Sequence, residues 1–537
     1  MAARQALQLG EILQLIFDYF SPEQHPSSHA NRVNYQHTLA TCARVNKSFN
    51  DVAVDVLWKH MHGITPLLRV LPAFQWAEIT DSDDDAPQLG LFGRLHPKDL
   101  RRFREYAQRI TDLTISNYAL QVDPSALFCL LRALGGQSLL PRLRRLHWTQ
   151  FKATNCDVLY FASPSLRTLT LYYEGSQDTP EASVSINSVP CEFLFEAVCE
   201  QMAAVAPCLE TLTITSICTP CYFPPFARCR GLREVSISGE LLTSQCANLS
   251  TLSSLDNLAK LEVRGVVQLH RDEVLGFQGF HALQELSIEG EPESLGHILM
   301  CLASSDATIR KLDIELNPTP TPQETFQLMN ILKTHSSAAL EDVTVMPLPM
   351  WSNGDATQLF EPIRPLLDIR NLRTVRCMFA RWPCDLSDDD LCMMADAWPN
   401  LVSLTVRWLH AEDMARPRVL PSLDCLPRIA RSCSRLQSLT MTCAAMTFTA
   451  GVEVMSHCLS HLRIEKTSWA PEKILAMDVA LFFDRLFPYL DLKTLRESRT
   501  GRDSAQLCRA WAQVCDHLQS FRTVRAQERK RLEGSSL

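Results

Sequence analysis

Leu166-Arg167-Thr168-Leu169-Thr170-Leu171 sets apolar residues at its first, fourth and sixth positions. The last two alternate as the buried side of a short strand does, and the first packs from the turn before it. The same apolar-x-x-apolar-x-apolar signature begins again at Ile110, Leu143, Leu209, Leu232, Leu258, Leu283, Ile309, Leu340, Leu372, Leu401, Leu436 and Leu459. Thirteen copies, 23 to 43 residues apart, are too many for chance. Each copy leaves an apolar edge that only a neighbour can cover, so the strands are expected to stack in parallel with helices on the opposite side. Residues 124–134, 193–205, 323–333 and 388–397 read as those helices.

The period lies near the roughly 20 to 29 residues of a leucine-rich repeat, with wider scatter. The Asn that usually follows the last leucine by three is replaced by Tyr118, Phe151, Glu174, Ile217 and Glu240, which predicts uneven curvature and unequal loops. The residues flanking each buried pair face the concave side. They run from Thr170, Tyr172 and Thr213 through Glu285, Glu289, Asp313 and Glu315 to Arg376 and Arg407, a Thr-rich, then acidic, then basic progression. Two readings stay open: a polar strand face that merely meets water, with Thr favoured by strand propensity, or a surface for a protein client with its own charge pattern.

Ahead of the repeats, Leu9-Gly10-Glu11-Ile12-Leu13-Gln14-Leu15-Ile16-Phe17-Asp18-Tyr19-Phe20 reads as a helix with Glu11, Gln14 and Asp18 on one narrow polar stripe and apolar residues over the rest. A segment of about sixty residues cannot bury so wide an arc, so part of it is kept for a partner. A polar loop follows to roughly residue 36, then an apolar-periodic stretch at 39–45, a break at Asn46-Lys47-Ser48 and a third helix at 49–61.

Glu11-Ile12-Leu13, Ile16-Phe17 and Phe20, then Leu39-Ala40, Cys42, Val45, Lys47 and Phe49, then Asp55-Val56-Leu57-Trp58 resemble the F-box in the form common in fungal F-box proteins. Leu9 and Gly10 stand where a proline usually precedes the glutamate, Asn46 takes a usual cysteine position, and Phe49 replaces a usual tryptophan. The resemblance implies a docking module for the Skp adaptor of cullin-based ubiquitin ligases. Carried over, Leu9, Ile12, Leu13, Ile16, Phe17, Val45, Leu57 and Trp58 would be core or adaptor-facing, and the sequence does not divide them.

The expected organisation is an F-box over 1–62, a linker and helical lead-in over 63–105, a leucine-rich-repeat solenoid over 106–467 and a helical C-terminal cap over 468–537, an α/β fold throughout. The cap rests on apolar helices at 474–487 and from 505 to about 532. The repeats from about residue 106 are expected to stay folded alone.

With 52 Lys+Arg against 60 Asp+Glu, nothing calls for a nucleic acid or membrane as the main partner, and no apolar run approaches the roughly 18 residues of a membrane span. The 20 cysteines sit in apolar contexts, as free thiols of a reducing, cytosolic or nuclear compartment do. Cys208, Cys218, Cys221 and Cys229 contain one C-x-x-C without the second pair a zinc site needs. Asp81-Ser82-Asp83-Asp84-Asp85 reads as a solvated loop, and Asp388-Asp389-Asp390 as a helix start. No phosphate loop, H-E-x-x-H or G-x-S-x-G is present. The expectation is a non-enzymatic chain without a cofactor. It would act as the substrate receptor of a Skp, cullin and F-box ligase, or alternatively as a protein-binding scaffold that works without a cullin.

Overall fold

All thirteen copies of the signature become strands, and the physical reason repeats from one to the next. The computed structural model describes residues 10–21, 29–77, 88–116, 122–150, 156–173, 191–216, 223–239, 246–267, 279–304, 307–317, 320–336, 339–348, 360–379, 386–408, 421–442, 447–449, 451, 453–465, 474–497 and 505–534. Leu9, Cys218, Cys221, the acidic run at 81–85 and the five positions expected to lack Asn lie outside them. The chain divides into two compact units, Met1–Leu258 and Ala259–Leu537.

The first unit opens with helices α1 (Gly10–Asp18), α2 (His29–Cys42) and α3 (Lys47–Lys59) and strand β1 (His60–His62). Helix α4 (Thr65–Leu68), an antiparallel hairpin of β2 (Phe74–Ala77) and β3 (Gln88–Leu91), and α5 (Pro97–Ala107) follow. The described start of the segment expected to be a linker and helical lead-in is therefore packed, with Ile64, Leu67, Leu68 and Leu71 almost fully buried. Then come β4 (Asp112–Ile115), α6 (Pro124–Ala133), β5 (Arg145–Gln150), β6 (Thr168–Tyr173), α7 (Cys191–Val205), β7 (Thr211–Ser216), β8 (Glu234–Ser238) and α8 (Cys246–Ser253).

The second unit runs β9 (Lys260–Val267), β10 (Glu285–Gly290), α9 (Pro292–Ala303), β11 (Lys311–Leu316), α10 (Pro322–Ser336), β12 (Asp342–Leu348), α11 (Phe360–Ile363), β13 (Thr374–Phe379), α12 (Asp388–Ala397), β14 (Ser403–Trp408), α13 (Leu426–Ser432), β15 (Ser438–Thr442) and β16 (His461–Glu465). It ends on α14 (Ala476–Leu486), α15 (Leu492–Glu497) and α16 (Ala505–Gly534). The solenoid-like sheet comprises fourteen parallel strands, six in the first unit and eight in the second.

Register explains the burial. Leu146 and Trp148 pair with Leu169 and Leu171, and these with Leu212 and Ile214, so each inward pair stacks on its counterpart. The first apolar residue of each signature is buried beneath the turn, as at Leu143, Leu166 and Leu209. The residue after it carries the backbone link between repeats. The carbonyl of Arg144 accepts from Arg167 N (2.8 Å) and Thr168 N (2.9 Å), and that of Arg167 from Glu210 N (2.7 Å) and Thr211 N (2.9 Å). In the second unit Arg310 O takes Glu341 N (2.8 Å) and Asp342 N (3.0 Å) in the same way. Both lone pairs of each carbonyl are used, so a buried turn leaves no orphaned acceptor there.

Sequence reasoning missed one strand of this sheet, β1, as well as the separate pair β2 and β3. Expected as the end of a helix at 49–61, His60-Met61-His62 instead leaves α3 and pairs with β4, His60 opposite Asp112 and Met61 opposite Leu113. The second helix also begins earlier than expected, at His29, although His29-Ala30-Asn31-Arg32 has no apolar period to announce it.

At the far end of the second unit the Ser460 carbonyl accepts from Asp491 N at 2.6 Å, where a further repeat would otherwise stand. Helix α15 packs against β16 and against α16, and α16 packs in turn on α14, with Phe483 stacked on Trp511 at 6.3 Å and Val514 and Leu518 buried. This covers the strand edge and the last apolar layer, as a solenoid end requires.

Candidate interaction surfaces

The N-terminal helices pack around Leu13, Phe17, Leu39, Ala53 and Val56, with Phe20, Phe49, Val52 and Leu57 against them. Two of the departures from the usual residues have local roles: the Asn46 side chain caps α3 by accepting from Phe49 N at 2.8 Å, and the Phe49 ring meets Phe17 edge-on at 5.6 Å. Ser/Thr/Asn-type caps are worth about 1 kcal/mol.

Helix α1 divides its apolar arc in two. At about 100° per residue, Leu13 and Phe17 fall on the side facing α3, and Ile12, Leu15 and Ile16 on the neighbouring side. Leu13 and Phe17 are 1% and 3% exposed, whereas Leu15 is 74% and Ile16 42% exposed, with Tyr19 at 58% in the turn that follows. Of the residues singled out beforehand, Leu13 and Phe17 therefore close the core in this conformation and are not open to a partner. Ile16 and Val45 are exposed, and Ile12, Leu57 and Trp58 are half-buried. Leu15 and Tyr19 were not in that set, yet helical spacing puts them beside Ile12 and Ile16. Trp58 packs against Tyr106 of α5 at 4.6 Å between ring centroids.

Residues 11–63 match the F-box-like family.

An F-box-like domain is in general a docking module for Skp adaptors. Here it is joined to the sheet without a linker. Lys59 ends α3 and His60 begins β1, while Arg109 pairs with Asp55 and the Thr111 amide donates to the Lys59 carbonyl. Comparison with curated proteins gives no match. Among solved structures the chain is similar to a Bacteroides fragilis protein, at 10% identity over 49% of this chain and 66% of that one, with a TM-score of 0.25. It is also similar to the Toll–Spatzle complex of Drosophila, at 12% identity over 75% and 55%, with a TM-score of 0.31. It spans only part of either.

The second surface is the face of the sheet turned away from its helices. In the first unit Thr170 lies beside Thr213, and Tyr172 beside Thr215, giving a field of uncharged hydroxyls. In the second unit the expected block of acid is interleaved with cations. Glu285 stands beside Lys311, Asp313 lies 3.7 Å from Lys311 Nζ, and Glu262 lies 2.6 Å from Arg264 Nε. Sequence reasoning left out Lys311 and Arg264 because it followed acidic letters rather than register.

Glu289 serves the fold: its carboxylate accepts from Gly265 N at 2.8 Å and from Asn317 Nδ2 at 2.9 Å. Burial pushes the neighbouring Glu315 carboxyl above the ordinary range, Glu289 adds to that, and Arg264 opposes it. Arg376 lies in register between Thr344 and Thr405, and Arg407 beside Met378. Among the described residues no group of three His, Cys, Asp or Glu is placed to hold a metal ion, and no helix is long and apolar enough to cross a membrane.

Proposed function

We propose that the chain is the non-catalytic substrate receptor of a Skp–cullin–F-box ubiquitin ligase. The observation that carries this reading is the exposed apolar half of α1, formed by Leu15, Ile16 and Tyr19 beside Ile12, on an F-box-like domain whose core is already filled by Leu13 and Phe17. Fully burying a large apolar side chain is worth about 1.5–3 kcal/mol, so an adaptor that covers this face gains a stable contact. Val45, Leu57 and Trp58 are the further candidates for it.

The solenoid face holds the client, with Thr170, Tyr172 and Thr213 in the first unit and Glu285, Asp313, Glu315, Arg376 and Arg407 in the second as contact residues. Glu289 contributes by fixing the irregular stretch of β9 at Gly265. The continuous passage from α3 into β1 keeps bound client and adaptor at a fixed separation within the first unit. Catalysis by such a receptor is proximity: the chain raises the effective concentration of client lysines at the ubiquitin-loaded enzyme and supplies no reacting group. The work belongs in the cytosol or nucleus, with which the free thiols of the described cysteines agree.

The test is reconstitution. The chain is mixed with the adaptor and a cullin, and a ternary complex that sediments as one species is expected. A complex that holds the adaptor but never the cullin would replace the ligase reading by that of a scaffold.

A further inference from the structure

Between the third helix and the entry turns of the first repeats lies an open cleft of about 780 Å³, away from the apolar side of α1. Its lining carries both signs: Asp51 and Asp55 of α3 and Glu105 of α5 are acidic, Arg142, Arg144 and Arg167 from the turns before β5 and β6 are basic, and Lys59 ends α3 while Arg109 follows α5. Two of these cations are already neutralised, Arg109 by Asp55 and Arg167 by Glu210. Lys59, Arg142, Arg144, Asp51 and Glu105 have no ion-pair partner among the described residues.

The free charges stand on fixed backbone. Arg144 N donates to Thr111 O at 2.7 Å, and its carbonyl takes the two amides of the next repeat. The residue before Arg142 is pinned by the Ser165 hydroxyl, which donates to Pro141 O at 2.8 Å. Unpaired charges of both signs lining one cleft are complementary to something that carries both signs. The chain's own net charge of −8 gives no general reason for exposed arginines to gather here.

We propose that this cleft docks a charge-patterned protein segment, setting its carboxylate against Arg142 and Arg144 and its lysine or arginine against Asp51 and Glu105. The guanidinium fork grips a carboxylate in two hydrogen bonds, and the acidic residues select against a purely anionic ligand. The site is distinct from the adaptor face and from the sheet face, and it does not depend on the ligase reading.

Fluorescence anisotropy of the full chain at low salt tests it with three labelled peptides of one length, built as repeats of Glu-Ala-Lys-Ala, of Glu-Ala and of Lys-Ala. The mixed peptide should bind tightest. R142E/R144E should weaken the Glu-Ala peptide by about tenfold or more and strengthen the Lys-Ala peptide, while D51K/E105K should do the reverse. Arg310→Ala, at the same register position in the second unit, should change nothing. All four wall side chains project from the surface or its edge, so unchanged melting temperatures are expected to accompany these shifts. Equal binding of all three peptides, no binding of any, or affinities unmoved by either charge reversal would overturn the proposal.

Discussion

The carbonyl of Lys59, the last residue of α3, accepts a hydrogen bond from the amide of Thr111 at 3.1 Å. Thr111 O then takes Arg144 N at 2.7 Å, so the ladder that ties repeat to repeat begins inside the F-box-like domain. Asp112 reinforces the joint: it accepts from Thr111 Oγ1 at 2.6 Å, lies 3.2 Å from His60 Nδ1 and pairs with Arg145. Asp112→Ala is expected to destabilise the first unit by about 1–3 kcal/mol, because it strands the buried His60 imidazole. A urea titration followed by tryptophan fluorescence reads this as a lower midpoint.

The same joint revises the expectation that repeats starting near residue 106 fold alone. Removing residues 1–105 deletes β1 and bares the edge of β4, together with the apolar layer above Leu113. An open, apolar strand edge recruits other strands. The truncated protein should aggregate or melt well below the full chain; light scattering during a thermal ramp separates the two.

The two halves of α1 should respond in opposite ways. Phe17→Ala removes a core ring that also meets Phe49 and should cost about 3–5 kcal/mol. Ile16→Asp alters an exposed side chain and should stay within about 0.5 kcal/mol of wild type. Comparing the two urea midpoints checks the division.

The acidic run 388–390 is structural, as a helix start. Ser387 and Asp390 form a reciprocal capping box on α12, and the Asp388 carboxylate accepts from both Ser422 N and Ser422 Oγ at 2.7 Å. Ser387→Ala should cost about 1 kcal/mol, and faster hydrogen exchange confined to α12 and the segment after Ser422 would report it.

Burial separates the thiols by reactivity. It pushes Cys377 and Cys433 up to about 12, with Asp396 adding at Cys433, and Cys229 up to about 11, with Cys208 adding there. Since the thiolate is the nucleophile, iodoacetamide at mildly alkaline pH should label exposed Cys129 and Cys208 and leave those three untouched until denaturant is added. Peptide mass spectrometry counts the labels.

The repeats were legible because every copy spells its strand twice, in alternation and in the leucine that precedes it. Strand β1 was hidden because His60-Met61-His62 supplies one apolar residue, and only pairing with Leu113 gives Met61 its place. The second helix lost its first turns for a related reason: the mostly polar residues at 29–36 carry no clear period, and it is the packing of Leu39 that holds the helix in place. On α1 both halves of the arc are apolar, so composition could not tell Phe17 from Ile16. That distinction comes from what α3 covers. The sheet face was readable as polar, but which charges neighbour one another depends on register between strands some 25 or more residues apart, as Glu285 and Lys311 are.

The central claim is that the exposed half of α1 binds a Skp adaptor. Purified full-length chain mixed with that adaptor and run on size exclusion with light scattering should give a one-to-one complex, lost on Ile16→Asp while the variant keeps its melting temperature. No complex with the wild-type chain, or an undiminished complex with Ile16→Asp, would contradict it.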